Sequence, residues 1–160
     1  MEIHNGAIFH ASSTLLSKLD AVQRSFLKEI NVSEERAFLE HNFASPTLRR
    51  NIGILGLLHK RVLGKCHAIY QKLLPFSSDV FGFLREGEHS KQLYDHCLEI
   101  QYQQDLWRRS IFCMTRIYNR LPQYVVLMTS VSIFQSALTR MARTACQNGN
   151  ENWQNIFDSR

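Results

Sequence analysis

Leu15, Leu19, Val22 and Phe26 stand at i, i+4, i+7 and i+11, with Leu16, Leu27 and Ile30 widening the stripe. At about 100° per residue they share one side of an α-helix, which predicts a helix that lays this stripe on a core. Ser12 or Ser13 can cap its start and Asn31 can end it. The same spacing recurs along the chain. Ser33, Glu34, Glu35 and Asn42 bracket a short second helix. Ser45, Pro46 and Gly64 bracket a third, with Leu48, Ile52, Leu55, Leu58 and Val62 on its apolar face.

Residues 67–74 read as a short helix stopped by Pro75. Residues 75–89 form a loop-rich connection that Phe76, Phe81 and Phe83 tuck onto the core, and 90–104 fits helix or extended chain equally. A further helix starts near Asp105 and ends before Pro122, with Leu106, Trp107, Ile111, Met114, Ile117, Tyr118 and Leu121 inward. The last starts after Ser130, turns Phe134, Ala137, Leu138 and Met141 inward and Arg140 and Arg143 outward, and stops at Asn148-Gly149. No hairpin signal occurs. The expectation is an all-α domain, one irregular bundle of about six helices over 1–149, with a C-terminal tail at 150–160.

The chain has 160 residues, 44% of them hydrophobic, enough for one domain with its own core. No apolar run approaches the ~20 residues of a membrane span, so no membrane partner is expected. The N-terminus has no basic region leading into an apolar stretch, so no signal peptide is expected. Cys66, Cys97, Cys113 and Cys146 are widely and unevenly spaced, which favours reduced thiols and an intracellular setting, nucleus or cytoplasm.

Charge is segregated. Residues 46–75 carry six basic side chains and no acid, and so do residues 106–146. Residues 20–45 (three basic, five acidic) and 76–105 (two basic, six acidic) are net negative between them. The whole chain is only +5, yet two acid-free blocks suggest a polyanion partner, RNA or DNA. On a helical wheel Arg49 and Lys60 share one direction and Arg50 and Arg61 another, predicting two ridges opposite the core with Lys65 beyond them. Gly53 and Gly56 leave room for another backbone or a phosphate chain. Arg109, Arg116 and Arg120, with Arg108 beside them, form a second set, and Arg140 and Arg143 are outer contacts. Their chemistry is electrostatic: guanidinium forks and ammonium groups hold phosphates without reading bases. The plain alternative is a solvated face, although such faces usually mix signs. Tyr94, Tyr102, Trp107 and Tyr118 could stack on bases, but their helical positions favour the core.

Nothing points to catalysis. The chain has no Gly-rich phosphate loop followed by Lys, no GxSxG, no HExxH and no DxD pair. Cys66-His67 and His96-Cys97 are adjacent pairs, poor zinc geometry, so neither a metal nor a cofactor is expected. Asp79, Glu86, Glu88 and Asp95 lack a recognisable cation-ligand spacing.

Four segments, "LDAVQRSFLKEI", "LRRNIGILGLLHKRVLG", "RRSIFCMTRIYNRLPQYVV" and "SVSIFQSAL", occur in this order. Together they resemble the region downstream of the reverse-transcriptase domain in polyproteins of non-LTR (LINE-class) retrotransposons, over roughly residues 7–146. The resemblance implies a helical piece that helps hold template RNA or target DNA near a polymerase. The chain has no Asp-Asp pair of the polymerase type, no endonuclease segment and no C-terminal zinc knuckle. It therefore reads as a separate, non-catalytic part of a larger enzyme, or a relic of a mobile element. The competing expectation is a protein-interaction module for an acidic partner, the missing polymerase domains among them. A remnant without selected function is the third.

Overall fold

Serine side chains open four of the helices in the computed structural model, which describes residues 11–78, 89–96 and 110–158. Helix α1 spans Ser13–Glu29, and the Ser12 hydroxyl accepts the Leu15 N–H. Helix α2, Glu34–His41, starts on Ser33, whose hydroxyl accepts the Arg36 N–H at 3.1 Å, and ends at Asn42 in the left-handed region. Helix α3, Pro46–Val62, is capped by Ser45 with proline at its first position. Gly64, at φ +69°, lets the Lys65 N–H return to the Lys60 carbonyl and close the helix.

Helix α4 is short, Ala68–Leu73, capped by His67, and Pro75 follows it. Helix α5, Ile111–Asn119, starts on Ser110; α6 is one turn, Gln123–Val126; α7 runs Val131–Gln147 and closes at Gly149. A 3-10 turn, Trp153–Asn155, comes last. The described residues are thus all-α, with no strand and one isolated antiparallel bridge between Phe76 and Leu93.

Helix α3 is the axis of the fold, packed against α7, α5 and α1. Its Leu48, Leu55 and Leu58 meet Phe134 and Leu138 of α7, Met114 and Tyr118 of α5, and Val125 of α6 in one buried cluster. Met141, Ile111 and Ile117 sit at the margin of that cluster, and Leu106 and Trp107 lie outside the described residues. Of the loop phenylalanines, Phe76 packs on the core; Phe81 and Phe83 are also outside the described residues. Residues 150–158, expected as a tail, pack on the bundle. Trp153 stacks on Phe38 of α2 with ring centroids 4.9 Å apart, and Phe157 is buried beside it.

The main departure from the sequence reading is α1. Leu15 (55% exposed), Leu19, Val22 (68%), Phe26 and Ile30 all face outward. The buried residues are Leu16, Gln23 and Leu27, on a line rotated by about 80°. Polar anchors set that rotation. Asp20 holds Arg50 at 2.9 Å and accepts the Thr47 hydroxyl, while Gln23 donates to the Ala44 carbonyl and accepts from Arg49. Buried polar groups need such partners, so α1 turns Asp20 and Gln23 toward α3.

Cys113 is disulfide-bonded, against the expectation of reduced thiols throughout; Cys66 and Cys146 are free. Among the described residues no helix is long and apolar enough to cross a membrane, and no three His, Cys, Asp or Glu side chains gather as a metal site.

Candidate nucleic-acid interface

The two α3 ridges separate. Arg50 and Arg61 are each only 6% exposed, so the ridge they were expected to form lies inside the protein. Arg50 is ion-paired with Asp20 and bonded to Thr47. The cleft beside it is lined by Asp20 and Asp158, and two carboxylates on one cleft repel a phosphate. Arg61 donates to the Leu74 carbonyl at 2.8 Å and lies over the Phe76 ring, 4.4 Å from its centroid. It ties α3 to the chain after α4. An arginine can be taken inside when its fork finds acceptors and its plane finds a ring.

Arg49 and Lys60 are exposed, with Gly53 and Leu57 half-covered between them. Arg49 keeps one bond, to Gln23, and rests over Phe43. Eleven residues at 1.5 Å each set the two cations about 16 Å apart along the helix. Lys65 is exposed just past the end of the helix, its ammonium on the Thr129 carbonyl at 3.1 Å. Gly56 is the close approach that its lack of a side chain allows: a Cβ there would stand 2.3 Å from Nε2 of Gln135. A neighbouring helix, α7, uses that space, so the exposed arc of α3 runs beside α7. Neither helix carries an acidic residue.

On α7, Arg140 is exposed. Arg143, read as outward, bends back instead. It donates to the carbonyls of Leu39 and Phe38 and to the Asn42 side chain, capping the C-terminus of α2. In the second basic set, Arg120 is exposed, and Arg116 is paired with Asp95 at 3.0 Å. Arg108 and Arg109 lie outside the described residues, as do Tyr102 and Trp107. Tyr94 and Tyr118 are buried core residues, unavailable for stacking on bases. Of the eleven cations expected at the site, those exposed and without an acidic partner among the described residues are Arg49, Lys60, Lys65, Arg120 and Arg140.

Sequence reading missed a second group. Arg24 and Lys28, one turn apart on α1, line an open groove of about 580 Å³ with Arg36 and Glu34. The i, i+4 spacing was available as a signal, but the segment's net negative charge concealed it.

It also passed over His59, which shares the α3 face of Ile52 and Leu55 and is fully buried. Its Nε2 bonds the Met128 carbonyl at 2.7 Å, so the proton sits there and Nδ1 accepts the Tyr118 hydroxyl at 3.0 Å. The ring stacks on Phe134, centroids 4.0 Å apart. Burial, and secondarily Lys65, push the His59 pKa below its ordinary value; burial raises that of Tyr118. Both ring nitrogens are occupied and no solvent reaches them. The pair joins α3, α5 and α7 and leaves no lone pair for a substrate.

No family model, no curated protein and no solved structure matches the chain.

Proposed function

We propose that the exposed edge of α3, Arg49 and Lys60, with Lys65 just past its end and Arg140 of the adjoining α7, holds the sugar–phosphate backbone of an RNA or DNA strand without reading its sequence. The observation that carries this reading is the survival of an acid-free exposed edge beside cations that the fold itself consumes. Arg50, Arg61 and Arg143 are used up inside the fold, yet Arg49, Lys60 and Arg140 remain outward on two neighbouring helices with no carboxylate on either, and Lys65 stands exposed just past the end of α3. Such an edge releases counterions from a polyanion, which is the main source of sequence-independent affinity. Arg120 serves only a strand long enough to pass beyond that edge. The role is binding, not catalysis. The resemblance to the region downstream of a retrotransposon polymerase supports the same reading, as a helical part that keeps template or target close.

The test is fluorescence anisotropy with labelled single-stranded RNA and matched duplex DNA across a salt series. Micromolar or tighter binding that weakens steeply with salt is expected, with Arg49→Glu/Lys60→Glu losing at least about tenfold. Arg116→Glu, which acts on a cation already paired, should lose less. A folded chain that binds neither polymer at low salt would contradict the proposal.

A further inference from the structure

The outward stripe on α1 carries five of the twelve large hydrophobic side chains that stand exposed among the described residues. Leu15, Leu19, Val22, Phe26 and Ile30 lie within about 80° of one another on the helical wheel, each about half exposed or more. Phe43 extends the stripe edge-on from Phe26, ring centroids 6.5 Å apart. Together they present roughly 500 Å² of apolar surface, near the upper end of what monomers leave to water.

The spacing of the stripe says what covers it. Leu15 stands as far before its midpoint as Ile30 stands beyond it, and Leu19 as far before as Phe26 beyond; Val22 is next to the midpoint. Reversed, the stripe falls on itself layer by layer. Two charges lie close to the same symmetry, Lys18 standing 4.5 residues before the midpoint and Glu29 6.5 beyond it, an offset of about 3 Å along the helix that long side chains can span. Lys18 and Glu29 are both exposed, make no ion pair among the described residues, and share one edge of the stripe about 20° apart on the wheel. In an antiparallel helix pair each edge faces its own copy, so Lys18 meets Glu29 of the other chain twice. In a parallel pair that edge would face the Gln23 side, which is already packed on α3, and neither charge would find a partner.

We propose that α1 pairs with α1 of a second copy, antiparallel about a two-fold axis beside Val22, with Leu15 on Ile30, Leu19 on Phe26 and two Lys18–Glu29 ion pairs. An interface of about 1,000 Å² over both chains sits at the low end of specific interfaces, which predicts a micromolar dimer. The closed two-fold also places two copies of the α3 edge in one particle, doubling the charge offered to a single strand.

Sedimentation equilibrium of the full chain from 1 to 200 µM tests this. A monomer–dimer equilibrium is expected in the micromolar range. Val22→Glu, which brings two like charges together beside the axis, should weaken it at least tenfold. Lys18→Glu should weaken it less, and Lys18→Glu/Glu29→Lys should restore it. These side chains are exposed in the single chain, so circular dichroism should show every variant folded. For orientation, the free thiols Cys66 and Cys146 are replaced by serine and new cysteines are oxidised. Val22→Cys should cross-link to itself and Leu15→Cys should not. A monomer at 200 µM would overturn the proposal, as would a dimer indifferent to Val22→Glu. Equal cross-linking of the two cysteine variants would overturn the antiparallel arrangement.

Discussion

Helices α1 and α3 are each 17 residues long and each amphipathic. Their outcomes are opposite. The apolar stripe of α1 faces out, and half the basic ridge of α3 faces in. The difference lies in how many helices surround each. Helix α1 packs chiefly on α3 and α2, so one side of it is covered and the polar anchors Asp20 and Gln23 choose which side. Helix α3 is enclosed by α1, α5 and α7, and one arc is left to solvent. Periodicity tells which residues share a face. It does not tell how many faces will be covered, and a guanidinium with a carboxylate or carbonyl waiting can occupy a covered one.

The largest effect that could break this contrast is at Phe134. Phe134→Ala removes the ring stacked on His59 and should cost about 3–5 kcal/mol in urea unfolding, whereas Phe26→Ala on the outward stripe should cost below about 1 kcal/mol at concentrations where the chain is monomeric. Comparable losses at the two phenylalanines would mean that α1 is oriented the other way.

Next come the adjacent arginines. Arg50→Ala leaves Asp20 without its guanidinium and should cost about 3 kcal/mol, and Arg49→Ala, which gives up one bond and one ring interaction at the surface, about 0.5–1 kcal/mol. Urea denaturation of the two single variants is enough to see whether the order holds.

Acid sharpens the picture of the α3 interior. The folded chain holds His59 neutral, while the unfolded chain takes up a proton near the ordinary value of 6.5. The unfolded state therefore binds more protons as pH falls below that value, and stability present above it is lost. Urea midpoints at pH 8, 6 and 5 should decline in that order. His59→Gln should flatten the decline; an unchanged decline would place the titrating group elsewhere.

The smallest effect is chemical. Burial raises the Cys146 thiol pKa, aided by Glu35, and Cys66 is more open to solvent. Iodoacetamide at pH 8 should label Cys66 first, by about tenfold, and mass spectrometry of the modified peptides reads the ratio.

What was legible in the sequence was local. Ser12, Ser33 and Ser45 cap where their side chains can reach the next turn, and Asn42, Gly64 and Gly149 end helices because each sits at positive φ. Those bonds span three to five residues. What was not legible joins distant parts: Asp20 to Arg50, Arg61 to Leu74, Arg143 to the end of α2, Trp153 to Phe38. The same gap divides the candidate interface. Its acid-free composition could be read from the chain, but the choice of which cations stay outside was made by acceptors contributed from elsewhere in the fold.

Lys60 and Arg61 test that choice most directly, being consecutive and equally charged, yet the first is exposed and the second buried about 100° further round α3. The measurement is the salt dependence of single-stranded RNA affinity for Lys60→Met and Arg61→Met, at a temperature where both remain folded. Lys60→Met should bind more weakly, with the slope of log affinity against log salt shallower by about 0.7, the share of a single neutralised phosphate. Arg61→Met should unfold at lower urea yet keep the wild-type slope. Equal slopes for the two variants would contradict the division of α3 into a structural and a binding side.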